Sequence, residues 1–253
     1  MEMHAGNIMW RRSVRLYNIR YTPMLADGDT KLHSDLEKRE PYGPLHPVLK
    51  EECINHVGKR LYTGFKNAIT LACKRAKICL GGKGVGRLTE KLMRWLQIMY
   101  VRAIRSNATA EEMQKAILAT PHHCFSTDLK PQHQYCPAGK DSWCFYNSAK
   151  AKGETPVSHD VALNHPMDEA LLREYIMPVY DRLSTLKLLR RCERQGTQNA
   201  NESLHSVIWR RAPKDSFYSK KRIEFAMLNG ITEFNFGPGI CLLIYISNLH
   251  FYT

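Results

Sequence analysis

Two aspartates flank a glycine at the end of a short segment that favours a β-strand. Residues 19–26 are rich in side chains that suit a sheet, and they run directly into Asp27-Gly28-Asp29, which is a turn signal. The turn places an acidic side chain at the carboxyl end of the strand, where catalytic groups collect in open sheets. Carboxylates there could hold Mg²⁺, although this tripeptide alone is typical of an ordinary turn.

Cysteine and histidine side chains could form a second kind of metal site. Cys53 and His56 are spaced to face one side of a helix, either as soft metal ligands or as a buried structural pair. Structural zinc takes four ligands, so Cys136 and Cys144 complete our candidate zinc set. Alternatively, the Cys- and His-rich segment 121–158 binds its own zinc. That segment also contains His122, His123, Cys124 and His133.

The composition describes a globular protein with a strong attraction for polyanions. The 253 residues are 43% hydrophobic, enough to bury a core, and Lys plus Arg outnumber Asp plus Glu by 37 to 24. The resulting net charge of +13 makes nucleic acid the first partner to test. The N-terminus lacks the features of a secretory signal, and the longest apolar stretch, residues 240–246, is far shorter than the roughly 20 residues that cross a bilayer. We therefore expect no membrane partner.

Hydrophobic periodicity predicts a chain that is mostly helical. Strands are predicted at residues 19–26 and 48–51. A helix that contains Glu202 is predicted after a cap at Asn199 or Asn201. The other predicted helices are residues 1–16, 30–37, 53–76, 88–104, 110–119, 168–190 and 221–234.

Four stretches, taken together and in order, resemble the Mutator-like transposase domain of animal genomes. The first runs from Arg20-Tyr21-Thr22 into Asp27-Gly28-Asp29, and the second, residues 50–60, contains Cys53-x-x-His56. The third is Cys136-Pro-Ala-Gly-Lys-Asp-Ser-Trp-Cys144, and the fourth is residues 196–209, which contain Glu202. The resemblance covers residues 1 to about 237.

The resemblance implies an α/β fold. It would be a partial RNase H-like transposase core with a large all-helical insertion, predominantly helical overall. Residues 1–52 would be the remnant of the core, with the strand of the second aspartate, and residues 53–190 the insertion, with the Cys/His-rich loop 121–158. Residues 191–237 would return to the core with the glutamate, and residues 238–253 would be a divergent apolar tail.

The chemistry implied by the family is metal-dependent DNA strand cleavage and transfer. Asp27, with Asp29 as the alternative, and Glu202 would hold Mg²⁺ or Mn²⁺, and two such ions about 4 Å apart assist in-line displacement at a phosphodiester. Lys59, Arg60, Arg210 and Arg211 are the predicted nucleic-acid contacts. DNA would be the partner, and the location would be nuclear.

The family's first catalytic aspartate is expected upstream of the helix that residues 1–16 match. The resemblance thus implies a domain truncated at its N-terminus and catalytically incomplete by itself. A stable monomeric enzyme is not expected, which leaves a homo-oligomer as one state to test. The alternative function is a non-catalytic DNA- or protein-binding module domesticated from a transposase.

Overall fold

The computed structural model describes residues 2–26, 31–163 and 168–239. The chain divides into two compact units, Met1–Gly196 and a second unit that starts at Thr197. Each unit is described by itself below.

The first unit begins with a helix and a parallel pair of strands. α1 (Glu2–Tyr17) precedes β1 (Pro23–Ala26), and α2 (Lys31–Arg39) lies in the connection to β2 (Leu49–Glu52). The last residues of the two strands, Ala26 and Glu52, are partners in the parallel register. The carboxyl ends of both strands therefore lie at the same edge of the sheet.

β1 is shorter than the sequence predicts because its first half makes other contacts. Asn18 ends α1 in the left-handed region, with φ of 53°. The backbone N–H of Tyr21 donates to the Tyr42 hydroxyl at 3.0 Å instead of to a neighbouring strand. Trp10, Met24 and other apolar side chains form a small core beneath the pair of strands.

A helical body makes up the rest of the first unit. Its main core joins α3, α4, α5 and the segment 172–192, and the largest fully buried side chains there include Phe65, Tyr100 and Tyr180. The helices are α3 (Ile54–Ala76), α4 (Glu90–Arg105), α5 (Ala110–Phe125), α6 (Phe145–Lys152), α7 (His159–Ala162), α8 (Glu169–Leu171), α9 (Met177–Leu183) and α10 (Leu186–Arg190).

Two predicted helices differ from the observed ones. α5 continues to Phe125, although the sequence predicts an end at residue 119 before Pro121, because Pro121, His123 and Phe125 are all buried against the body. The single helix predicted at residues 168–190 is instead interrupted. A π-helical turn spans Leu172–Ile176 and ends two residues before Pro178, whose ring nitrogen cannot donate to the preceding turn.

The second unit contains α11 (Asn199–Trp209) and α12 (Lys220–Phe236), which pack against each other. They meet closely at Gly230, where an added Cβ would lie 2.6 Å from Ile208 Cγ1. Residues 240–253, most of the predicted apolar tail, lie outside the described residues.

The predominance of helix is confirmed, with 62% helix against 4% strand among the residues that the structure describes. A two-stranded sheet is too small to establish an RNase H-like core, so that part of the fold class stays a prediction.

Candidate metal centre and basic cleft

Four side chains from one helix end, one loop and one helix start meet inside the first unit. His123 lies in the last turn of α5, His133 and Cys136 lie in the loop between α5 and α6, and Cys144 is the N-cap residue of α6. All four are buried, and their ligand atoms lie within 4.8 Å of one another. We call these four residues the His/Cys cluster.

The nitrogen and sulfur atoms of the His/Cys cluster point to a common centre. The Nδ1 atoms of His123 and His133 are 3.3 Å apart. Cys136 Sγ lies 3.7 Å from His123 Nδ1 and 3.8 Å from His133 Nδ1. Cys144 Sγ lies 3.4 Å from His133 Nδ1. One small cation could therefore contact every member.

Aromatic rings surround the two histidines and restrict their rotation. Trp143 and Phe145 make edge contacts with His123 at centroid distances of 5.0 and 5.5 Å. Tyr146 stacks on His133 at 4.4 Å, with 18° between the ring planes. The rings exclude water and hold both imidazoles in place.

A chain of side chains continues from the cluster to the surface. His133 Nε2 lies 2.9 Å from His159 Nε2, and His159 Nδ1 contacts the Asp128 carboxylate. The backbone N–H of His159 and the hydroxyl of Ser158 also donate to Asp128, at 2.9 and 2.7 Å. The His159 N–H, the His159 ring and Ser158 lower the pKa of Asp128 to about 2.

The two cysteines differ in their tendency to ionise. The pKa of the Cys144 thiol is lowered because its sulfur accepts a hydrogen bond from Cys136, with further contributions from His123, His133 and the backbone N–H of Asn147. The pKa of Cys136 is raised because it is the donor to Cys144 and is buried. These opposite shifts favour a single thiolate, on Cys144. A bound cation would favour the thiolate form of both cysteines.

Other predicted zinc ligands lie elsewhere. Cys53 is the N-cap residue of α3 and His56 follows one turn later. Within the described residues, the single group with metal-binding spacing does not include them. His122 turns away toward Gln132, with 3.2 Å between its Nδ1 and the amide oxygen.

A basic cleft of about 730 Å³ lies on another side of the same unit. One wall is the polar face of α3, where His56, Lys59, Arg60, Thr63 and Asn67 recur at helical spacing. The opposite face of α3 carries the buried apolar stripe, so the periodicity of this helix assigns one face to the core and the other to the cleft.

The other wall comes from the end of α9 and from α10. It contributes Arg182, Lys187 and Arg191, and no acidic side chain lines the cleft in the described part of the chain. The floor is narrow because α3 and α9 meet at Gly64, where an added Cβ would overlap Val179 Cγ1.

Glu52 connects the basic cleft to the sheet edge. Its buried carboxylate accepts from Arg60 at 2.9 Å, and Arg191 lies 3.8 Å away. Both arginines line the cleft, and Glu52 is the strand partner of Ala26. The cleft therefore begins beside the edge where the chain continues from Ala26 into Asp27.

The remaining predicted site residues are distributed as follows. Asp27 and Asp29 lie outside the described residues. Glu202 lies in the first turn of α11 in the second unit, with an exposed side chain. Arg210 and Arg211, in the same unit, both pair with Glu233, which reduces the charge that they offer to phosphate.

Sequence reasoning missed several residues of these sites. Arg182 and Lys187 face the cleft through the break between α9 and α10, which the continuous helical pattern of residues 168–190 conceals. Asp128 lies between His123 and His133 in the sequence, but its partner His159 is 31 residues further along the chain. Ser158 caps α7 immediately before His159, so it is a local signal for the start of that helix. It does not predict the contact between His159 and Asp128.

Comparison with known proteins identifies the family. A family model described as Mutator-like transposase matches residues 1–144, which is more than half of the chain. This chain belongs to the Mutator-like transposase family. Comparisons with curated proteins and with solved structures found no significant match.

The match to the Mutator-like model covers the His/Cys cluster in full and the basic cleft in part. It includes all four members of the His/Cys cluster, and it includes β1, β2 and the α3 wall of the basic cleft. No helix in the described part of the chain is both long and apolar enough to span a bilayer.

Proposed function

We propose that this Mutator-like protein binds DNA and that the basic cleft holds phosphates of the DNA backbone. The observation that carries the proposal is the convergence of cations from α3, α9 and α10 on one cleft without an acidic lining residue in the described chain. Phosphate contacts supply most of the affinity in non-specific DNA binding. A net charge of +13 adds long-range attraction.

The cations that line the cleft fall into two groups, according to whether they form an ion pair with an acidic side chain. Arg60 and Arg191 are held by Glu52 and so point from the sheet edge into the cleft. In the described chain, no ion pair joins Lys59, Arg182 or Lys187 to a carboxylate, so their charges are available to phosphate. Threonine and asparagine side chains between them can donate further hydrogen bonds.

Strand cleavage and transfer is the reaction that membership of the family suggests for the bound DNA. In this proposal Asp27, or Asp29, would act with Glu202 as the carboxylates that hold Mg²⁺ or Mn²⁺. Asp27 is the preferred aspartate because it directly follows Ala26, the last residue of β1, whose strand partner Glu52 pairs with Arg60 of the cleft. A nuclear location and a homo-oligomeric state accompany the proposal as expectations.

The test of DNA binding uses charge reversal in the full-length chain. The variant Lys59→Glu/Arg182→Glu/Lys187→Glu should lose affinity for duplex DNA. It should also show a shallower dependence of log affinity on log salt, by about 0.9 for each lost phosphate contact. Fluorescence anisotropy over a series of salt concentrations measures both effects.

The matched control is Lys91→Glu/Lys115→Glu/Lys152→Glu, which makes the same change in net charge at exposed lysines outside the cleft. It should retain most of the salt slope. An equal loss in both triple variants would show that net charge, and not the cleft, holds the DNA.

A nicking assay with Mg²⁺ or Mn²⁺ separates the catalytic function from the alternative of a non-catalytic DNA-binding module. Asp27→Ala and Glu202→Ala should each abolish any cleavage while DNA binding persists. Cleavage that survives both substitutions would remove these carboxylates from the proposed site.

A further inference from the structure

We infer that His123, His133, Cys136 and Cys144 form a closed structural site for one zinc ion. Four of the six distances among their ligand atoms lie close to the edges of a tetrahedron. Zn–N bonds of about 2.0–2.1 Å and Zn–S bonds of about 2.3 Å set tetrahedral edges of about 3.3 Å between nitrogens and about 3.5 Å between nitrogen and sulfur. The corresponding distances in the structure are 3.3 Å between the nitrogens, and 3.4, 3.7 and 3.8 Å between nitrogen and sulfur.

The kind of ligand favours zinc over the hard cations. Two thiols and two imidazoles suit Zn²⁺, whereas Mg²⁺ and Ca²⁺ are bound mainly by oxygen ligands. All four protein ligands are buried, which is typical of a structural zinc site and leaves no position for substrate.

An iron–sulfur cluster with the same four ligand types does not fit the geometry. In a two-iron centre held by two cysteines and two histidines, the histidines bind one iron and the cysteines the other. Here a nitrogen of His133 is only 3.4 Å from the sulfur of Cys144. The mixed contacts place all four ligands around one ion.

The chain His133–His159–Asp128 supplies the outer hydrogen bonds that a zinc-binding histidine needs. With Nδ1 of His133 on the metal, its Nε2–H donates to His159 Nε2, and His159 Nδ1–H then donates to Asp128. Each imidazole ring then has one N–H donor and one acceptor nitrogen. A single assignment of tautomers therefore satisfies every contact in this chain. Such partners orient the ligand and increase its basicity.

Local backbone contacts resemble those expected around a bound thiolate. The backbone N–H of Asn147 donates to Cys144 Sγ at 3.4 Å, at the start of α6. The side-chain amide of Asn147 also donates to the backbone oxygens of Cys136 and Pro137, at 3.3 and 3.2 Å. The zinc would thus join the end of α5, the loop and the start of α6.

Metal analysis of the full-length protein tests the inference. Protein purified under reducing conditions, treated with EDTA and passed through gel filtration should retain equimolar zinc. Cys136→Ser and Cys144→Ser should each lose the metal, whereas Cys73→Ser, at an exposed cysteine on α3, should retain it. Zinc retention by the Cys136 and Cys144 variants would overturn the assignment.

Cobalt substitution in the wild-type protein provides a test that does not require any variant to fold. Co²⁺ added to the reduced apoprotein should give the intense d–d absorption of a tetrahedral site together with thiolate-to-metal charge transfer. Stoichiometric Zn²⁺ should abolish both. A weak octahedral spectrum, or no thiolate band, would contradict the proposed ligands.

The contribution of Asp128 and His159 to zinc binding can be tested separately. Asp128→Asn and His159→Ala should each weaken zinc binding by about 10- to 100-fold in competition with a chelator while the tetrahedral cobalt spectrum is kept. His159→Gln, which retains an acceptor for His133, should recover part of the loss. Unchanged zinc affinity in all three variants would exclude Asp128 and His159 as positioning residues.

Discussion

Glu52 is a buried acid whose environment consists of cations. Its side chain is 4% exposed, Arg60 lies at 2.9 Å, and Lys50, itself 5% exposed, lies at 3.8 Å. The cost of removing water from these charges is offset only while the partners remain together. Glu52 thus stabilises the sheet edge and orients an arginine of the basic cleft at the same time.

Replacement of Glu52 should therefore destabilise the first unit strongly. Glu52→Ala leaves Lys50 buried beside two arginines, and we expect the free energy of unfolding to fall by about 3–5 kcal/mol in urea denaturation. Glu111→Ala, which breaks an exposed pair with Arg190 at 3.4 Å, is the control and should cost about 0–1 kcal/mol. Similar losses in the two variants would mean that water reaches the Glu52 cluster.

Among the elements, α3 carries the largest share of both structure and proposed function. One face supplies Val57, Leu61 and Phe65 to the core, and the other supplies Lys59 and Arg60 to the cleft. The distance between α3 and α9 sets the width of the cleft floor, and Gly64 makes their close approach feasible.

Gly64→Ala should separate α3 from α9. The new methyl group would overlap Val179 Cγ1, so we expect a loss of about 1–3 kcal/mol in the free energy of unfolding. Adding Val179→Ala to this variant should cost less than Val179→Ala costs in the wild type, because the truncated side chain relieves the overlap. Asn67→Ala, one turn along the exposed face, should change stability by about 0.5 kcal/mol or less. Strictly additive effects of the Gly64 and Val179 substitutions would contradict this packing.

The elements also show how far the sequence predicts this molecule. Periodicity predicts α3, α4 and α12 within two residues at each end, because each has a repeating pattern of its own. The helix with Glu202 is also found, although its N-cap residue is Gln198 rather than Asn199 or Asn201. It fails at Pro121, where burial overrides a local signal for the end of a helix.

The competition between local sequence signals and tertiary packing also explains why the candidate sites are only partly predictable. The sequence offers six Cys and His residues in the loop 121–158 without a way to choose among them. The choice depends on α5 reaching His123 and on Cys144 capping α6, which are tertiary outcomes. Lys59 and Arg60 follow from the helical face of α3, whereas their partners Arg182 and Lys187 depend on the break before α10.

At the scale of the whole molecule, the first unit combines three features around one apolar body. The His/Cys cluster lies where α5 and α6 approach, the basic cleft lies along α3, and the paired strands end together at Ala26 and Glu52. All three depend on the core between them, so the conditions that open this core should abolish metal binding and DNA binding together.

Two buried tyrosines contribute to the response of that core to alkaline pH. Tyr100 donates to the Leu183 carbonyl at 2.7 Å, and Tyr180 lies 3.4 Å from the Thr120 hydroxyl. Burial raises the pKa of both phenols far above the value of about 10 that holds in an unfolded chain. The neutral phenols therefore contribute stability that is fully present below about pH 10 and is lost as the pH rises further, because ionisation then favours the unfolded state.

The expected result is a steep alkaline decline in the free energy of unfolding, with a slope of about 1.4 kcal/mol per pH unit for each buried phenol. Urea denaturation at several pH values from 8 to about 11.5 measures it. Tyr180→Phe keeps the ring but removes one ionisable group, so its decline should be shallower by that amount. The matched control, Tyr17→Phe, changes an exposed tyrosine of α1 and should follow the wild type. If Tyr180→Phe also follows the wild type, the phenol of Tyr180 already ionises in the folded protein, and water must reach the core between α3 and α9.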